Sequence, residues 1–264
     1  MSPAPASRLK LGDINVELIE RGTGVPLVFL HSGEGLVFCD PFLSRMSASY
    51  RVIAPSHPGF GHTDLPTPYR AIDDLAYFYL DLFDHLKLRD AILVGASFGG
   101  WIAAEIAIRS TAHLSHLVLA DAFGIRVSGD ELAVEIQDIF TLHPDDVERR
   151  SFVDPAKWRR SVAALSDDDL GVIARNRESL ARFGWMPYMY NPLLKRWLHR
   201  IRIPTLVLWG ERDGIVSSEY GRAYAGAIPG ARFEIIKDAA HHAAVEQHAQ
   251  FAAAVARFAS LAPD

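Results

Sequence analysis

Ser97 stands between Gly95 and Gly99 in the run Gly-Ala-Ser-Phe-Gly. A serine hydroxyl is a weak nucleophile near neutral pH. It needs an imidazole to take its proton and an acid to orient that imidazole. The apolar run Ala91-Ile92-Leu93-Val94 precedes the serine and a helix-like run from Trp101 to Ile108 follows it. A strand turning sharply into a helix pushes such a serine into a strained, exposed position. Side chains at the two flanking glycines would collide there.

An acid and a base must then come from elsewhere in the chain. Residues just beyond the carboxyl ends of strands in an open parallel sheet share one rim. Asp213 follows the strand-like run Leu206–Trp209, and His241 follows Phe233–Ile236. The order Ser, Asp, His is the one expected for a strand–turn–helix nucleophile. Asp121 also lies just past an apolar run, Leu117–Ala120, and is a rival for the acid. Asp238 reads as a solvated loop acid. A tetrahedral oxyanion needs fixed donors, and one should be the N–H of Phe98, next after the nucleophile at a helix start.

The elements needed to hold these residues are legible as patterns. Ile14 to Ile19 alternates apolar and polar, and Gly22-Thr23-Gly24 marks a turn. Pro26–Leu30, Arg51–Ala54, Ala91–Val94, Leu117–Ala120, Leu206–Trp209 and Arg232–Ile236 read as strands, most of them wholly apolar as in a parallel sheet. Ile72, Leu75, Ala76, Tyr79, Leu82, Phe83 and Leu86 recur at helical spacing. Tyr220–Ala227 reads as a helix. A last helix carries Val245, His248, Phe251, Ala252, Val255, Phe258 and Ala259 on one face. This alternation implies an α/β fold, a parallel sheet with helices on both faces.

From Phe123 to Arg200 the strand signals stop. Leu132, Ile136, Ile139 and Phe140 share a helical face. Ser166 with Asp169 forms a capping signal, and Gly184 is a candidate stop. The chain therefore divides into a discontinuous core, 1–122 and 201–264, and an all-helical cap, 123–200. Phe183, Trp185, Met186, Tyr188, Met189, Tyr190 and Trp197 either form the core of that insert or line a substrate pocket. Arg175, Arg177 and Arg182 are available to a substrate carboxylate, though a solvated helix face also explains them. The first seven residues, rich in Pro, Ala and Ser, are expected to be loose.

Composition excludes several functions. The chain has 264 residues, 49% of them hydrophobic, enough for one large core. Net charge is −5, and acids and bases are mixed, so nucleic acid is not an expected partner. There is no apolar stretch of membrane-spanning length and no secretory h-region. The single cysteine, Cys39, permits no internal disulfide and no cysteine-pair metal site. No histidine pair has a zinc spacing. A cytoplasmic protein with a small-molecule substrate, no metal and no cofactor is expected; a homodimer is left open.

Several of these runs carry a resemblance. Leu30-His31-Ser32-Gly33-Glu34-Gly35, Pro58-Gly59-Phe60-Gly61-His62-Thr63, Trp209-Gly210-Glu211-Arg212-Asp213 and His241 through Glu246 resemble motifs of the α/β-hydrolase superfamily, in its lid-bearing serine hydrolase branch. The resemblance covers nearly the whole chain outside the insert, and it implies a mostly parallel eight-stranded sheet flanked by helices, with the helical cap inserted after the sixth strand. It implies Ser97, Asp213 and His241 as catalytic residues, with Asp213 preferred to Asp121 and His241, five residues before Glu246, preferred to His242. It implies a second oxyanion donor in the loop after Leu30, the N–H of Gly33, with Ser32 and Glu34 as neighbouring options.

Two departures stand out. Ser32 occupies the usual glycine position after the histidine, and Ser56-His57-Pro58 lacks the usual acid. The serine at the elbow separates the chain from dehalogenases and most epoxide hydrolases of this branch. The implied activity is hydrolysis of a small or medium carboxylic ester or lactone through an acyl-enzyme. The alternatives are a C–C hydrolase of a dienoic diketo acid, whose family often has Asn where this chain has Ala96, and a slow-turnover receptor or scaffold on the same fold.

Overall fold

Successive residues of a strand face opposite sides of a sheet, and here both sides are buried. Leu27 and Phe29 of β3 (Pro26–Leu30) pack into one apolar cluster while Val28 and Leu30 pack into another. The same split occurs along β5 (Ala91–Ala96), β6 (Leu114–Ala120) and β7 (Thr205–Gly210). The computed structural model describes residues 6–130, 133–159 and 161–260. It contains one eight-stranded sheet in the order β1-β2-β4-β3-β5-β6-β7-β8. The others are β1 (Ser7–Leu11), β2 (Ile14–Arg21), β4 (Arg51–Pro55) and β8 (Arg232–Ile236). Pairing from β4 onward is parallel, and β2 runs antiparallel to both its neighbours.

Helices cover both faces. One layer holds α2 (Ile72–His85), α3 (Phe98–Arg109) and α8 (Ser218–Gly226). The other holds α1 (Asp40–Met46), α9 (Ala243–Glu246) and α10 (His248–Ala259). Between β6 and β7 lie α4 (Pro144–Ser151), α5 (Pro155–Trp158), α6 (Asp167–Gly184) and α7 (Leu194–Trp197). The capping signal operates as read: Ser166 accepts the Asp169 N–H, and the Asp169 carboxylate accepts the Ser166 N–H.

The structure corrects three expectations. Ser7 is not loose but opens β1, whose alternating Ser-Arg-Leu-Lys-Leu pairs with β2. The final helix is two, broken at Gln247. The insert is not all-helical. Ile136 makes an isolated antiparallel bridge to Val216, and Phe140 and Thr141 donate their N–H groups to Asp138 Oδ1. Glu135 likewise accepts the amides of Val127 and Ser128. Side-chain acceptors of this kind compete with helical backbone bonding. Leu132, placed on the same helical face, lies outside the described residues.

The aromatic run, open between core and pocket, divides between core and surface. Phe183 and Met189 are buried in the core, while Trp185 and Met186 are exposed. Tyr188 donates its hydroxyl to Gln137 O and accepts the Ile139 N–H. Among the described residues, none of these seven lines the cavity beside Ser97.

Candidate active site

β5 ends at Ala96 and α3 begins at Phe98, which leaves Ser97 alone at the turn with φ 53° and ψ −114°. A non-glycine residue is rarely held in this left-handed region, and the cost is borne where geometry demands it. The neighbours explain how the turn closes. A Cβ at Gly95 would lie 2.4 Å from Gly99 O, and one at Gly99 would lie 2.2 Å from Leu30 O. Both glycines are required by close backbone approach.

Three distant stretches meet at this turn. Ser97 Oγ lies 2.8 Å from His241 Nε2, and His241 Nδ1 lies 2.8 Å from Asp213 Oδ2. Asp213 Oδ1 accepts the amides of Ile215 (2.8 Å) and Val216 (3.0 Å), which fixes the carboxylate. A carboxylate facing Nδ1 selects the Nδ1–H tautomer, so Nε2 presents a lone pair to the serine hydroxyl. Phe123 stacks on the His241 ring, 5.1 Å between centroids and 19° between planes. Ser97 and His241 are both buried.

The rival acid has other work. Asp121 Oδ1 accepts the Gly210 N–H at 2.7 Å, at the end of the strand that leads to Asp213. Burial, then the Asp213 charge, push its carboxyl well above the usual carboxylate range. Asp238 pairs with Arg212 on the surface at 3.2 Å.

Facing Ser97 across the β3 end is the loop from His31 to Gly35. Glu34 N–H donates to Ser32 Oγ (3.3 Å) and Gly35 N–H to Ser32 O (3.1 Å). The serine that departs from the expected glycine thus closes the turn with its own hydroxyl. The Gly33 amide takes no part in these bonds. Phe98 is the first residue of α3, so its N–H has no partner within the helix.

Two buried histidines brace this loop. His31 Nδ1–H donates to Ser32 O at 2.6 Å, and His31 Nε2 accepts the His57 N–H at 3.1 Å. His57 Nε2–H donates to His31 O at 2.9 Å, and its Nδ1 accepts the Tyr79 hydroxyl. Burial lowers the His31 pKa to about 4, and that of His57 well below its ordinary value, so both rings are neutral. The carboxylate missing before Pro58 is supplied by β2 instead. Glu17 Oε2 accepts the Ser56 hydroxyl (2.6 Å) and the His62 amide (3.1 Å). Sequence spacing gave no signal for this, because the acid sits 39 residues upstream of the serine it bonds.

A cavity of about 30 Å³ lies against Ser97, bounded by Phe123, Ile139, Val147, Leu180 and Ile215 together with His241 and His242. That is room for water rather than for an acyl substrate. An outer cleft of about 90 Å³ shares Gly33, Glu34, Ile139, Val147 and Leu180 with it and reaches Arg177. Of the three arginines on α6, Arg175 bonds Gly61 O and Arg182 pairs with Glu178, whereas Arg177 lines this cleft. Among the described residues no group of His, Cys, Asp and Glu could hold a metal ion, and no helix is long and apolar enough to cross a membrane.

A strained serine elbow on this sheet, with its imidazole and carboxylate, defines a class. The profile of the alpha/beta hydrolase family matches residues 27–254, and the chain belongs to that family; it is a hydrolase. It is 27% identical to 2-hydroxymuconate semialdehyde hydrolase of Pseudomonas sp. (strain CF600), over 97% of this chain and 94% of that one. It is 26% identical to 2-hydroxy-6-oxo-2,4-heptadienoate hydrolase of Pseudomonas putida, over 91% of each. Among solved structures it is similar in fold to the meta-cleavage product hydrolase CumD, with a TM-score of 0.77 at 20% identity over 96% of this chain and 97% of that chain.

Proposed function

We propose that this chain is a serine hydrolase that cleaves a small or medium carboxylic ester or lactone through an acyl-enzyme. The observation that carries the reading is the unbroken hydrogen-bond chain Ser97–His241–Asp213, both links 2.8 Å. Ser97 Oγ attacks the carbonyl carbon while His241 Nε2 takes its proton. Asp213 holds the ring and stabilises the imidazolium. The oxyanion is received by the N–H groups of Phe98 and Gly33, the first at the positive end of α3. His241 then protonates the leaving oxygen. Water deprotonated by His241 releases the acid and restores Ser97.

In this reading residues 123–200 act as a cap over a core of 1–122 and 201–264, in the cytoplasm. Leu180 of α6 closes over the oxyanion loop, since a Cβ at Gly33 would lie 2.5 Å from Leu180 Cδ2. Substrate admission therefore requires α6 to move away from the rim.

A second reading is favoured by two observations: the near-full-length similarity to 2-hydroxymuconate semialdehyde hydrolase and 2-hydroxy-6-oxo-2,4-heptadienoate hydrolase, and Arg177 on the wall of the outer cleft. The same groups would then hydrolyse a C–C bond of a dienoic diketo acid. Water supplies hydroxyl to the acyl carbon and a proton, through His241, to the departing carbon. Arg177 would meet the carboxylate.

A panel of p-nitrophenyl esters of rising chain length, lactones and a dienoic diketo acid tests both. Turnover of esters or lactones, lost in Ser97→Ala, supports the first reading. Turnover of the diketo acid alone, reduced in Arg177→Ala chiefly through KM, supports the second. Binding with no turnover of any member would support a receptor instead.

A further inference from the structure

Besides the reacting groups and Glu34 of the oxyanion loop, the otherwise apolar cavity beside Ser97 is lined by two polar side chains that the reaction does not use, His242 and Ser151. Neither the His242 ring nor the Ser151 hydroxyl makes a hydrogen bond among the described residues. Ser151 is only 5% exposed and His242 is half-buried, and neither the hydroxyl nor a ring nitrogen is among the fully buried atoms left without a partner, so both polar groups reach the open space of the cavity. Two such groups on one small cavity call for a partner that enters with the substrate.

The pair is held in place from several sides. Phe152 packs its ring against His242, 4.7 Å between centroids at 33°, and stacks in turn on Trp158 at 6.1 Å. On its other side the His242 ring meets His241 edge-on at 5.3 Å. Glu246 fastens both loops together. Its Oε2 accepts the Ala240 N–H at 2.7 Å, and its Oε1 accepts the Val153 N–H at 2.8 Å. The C-terminal end of α4, which brings Ser151, is thereby tied to the loop that brings His241 and His242.

We propose that His242 and Ser151 form a neutral hydrogen-bonding subsite beside the nucleophile, and that it takes an uncharged hydroxyl or carbonyl group of the substrate. The inference rests on the serine hydrolase reading and adds a substrate feature to it. The chemistry of the two side chains sets the class. Burial, with the His241 charge adding to it, lowers the His242 pKa to about 3, so the ring offers one N–H and one lone pair. A serine hydroxyl offers the same. No Lys or Arg lines this cavity among the described residues, so an anionic group finds no counter-charge there. A hydroxyl or ketone is satisfied by the pair, and a bare methylene leaves it unpaired.

The test uses p-nitrophenyl alkylphosphonates, which label an activated serine without needing turnover. One carries a plain butyl chain. The others carry a hydroxyl or a keto group at successive carbons of the same chain. We expect one polar position to label Ser97 about fivefold faster than butyl, the size of one neutral hydrogen bond. That ratio should fall to near one in both His242→Phe and Ser151→Ala. Equal or slower labelling at every polar position, or a preference that survives both substitutions, overturns the subsite while leaving the hydrolase reading in place. No labelling of the folded protein by any probe overturns both. Ser151→Ala removes a single oxygen, so the comparison stands even where His242→Phe disturbs folding.

Discussion

Two pairs of histidines flank Ser97, and they are built in opposite ways. His31 and His57, both buried, lie 3.7 Å apart with rings tilted by 33° and all four ring nitrogens engaged, three of them by backbone groups and one by Tyr79. Their loop carries no imidazole free to move a proton; it carries backbone N–H groups held at one position. On the opposite side His241 spends both nitrogens on side chains, Ser97 and Asp213, and His242 spends neither. One pair makes a rigid wall. The other, in the proposed reading, provides a base and an unfilled donor and acceptor. Burial alone does not mark a histidine as catalytic; the identity of its partners does.

The largest expected effect lies in the reactive pair. Ser97→Ala and His241→Ala should each lower turnover by about 10⁴- to 10⁶-fold, and the double variant should be little worse, because the two act as a unit. Additive losses in steady-state rates would break the pairing. Next comes the acid. Asp213→Asn should cut kcat/KM by about 10⁴-fold through loss of ring orientation. Asp121→Asn should cost within about tenfold, since it only braces Gly210. The reverse order in the two rate constants would transfer the role to Asp121.

The wall pair should show itself in stability rather than in rate. The His31 pKa is lowered from 6.5 unfolded to about 4 folded, so the unfolded chain binds more protons between those values. Its contribution is complete above pH 6.5 and is lost as the pH falls toward 4. By pH 5 the loss is roughly 2 kcal/mol. Urea unfolding at pH 7 and pH 5 should therefore show a smaller drop in His31→Asn than in the unaltered chain; equal drops would deny the neutral wall. Smallest is Glu246→Gln, which keeps one oxygen where two now accept. It should raise KM or lower kcat by less than about tenfold, with Ser97 labelling retained.

The convergence of Ser97, Asp213 and His241 was legible in the sequence and the wall was not. Ser97, Asp213 and His241 each follow an apolar run, and their local motifs need only a few neighbouring residues to be read. The sheet was legible for the same reason, since wholly apolar strands alternate with helical spacing. His57 bonds Tyr79 and His31 across 22 and 26 residues, and Glu17 replaces a missing acid from another strand; pairs this far apart leave no local period. The stretch after Phe123 misled because its apolar spacing suits a helix, while Glu135 and Asp138 divert the backbone amides. Ser151 and Glu246 become functional candidates only when α4 is seen against the histidine loop.

The central claim is that a hydroxyl, an imidazole and a carboxylate converge to activate one serine. Intact-mass and peptide mapping after exposure to a fluorophosphonate test it most directly. The account predicts one adduct per chain, on the peptide containing Ser97, absent in Ser97→Ala and strongly slowed in His241→Ala. A folded chain that takes no adduct, or one whose adduct persists in Ser97→Ala, would contradict it.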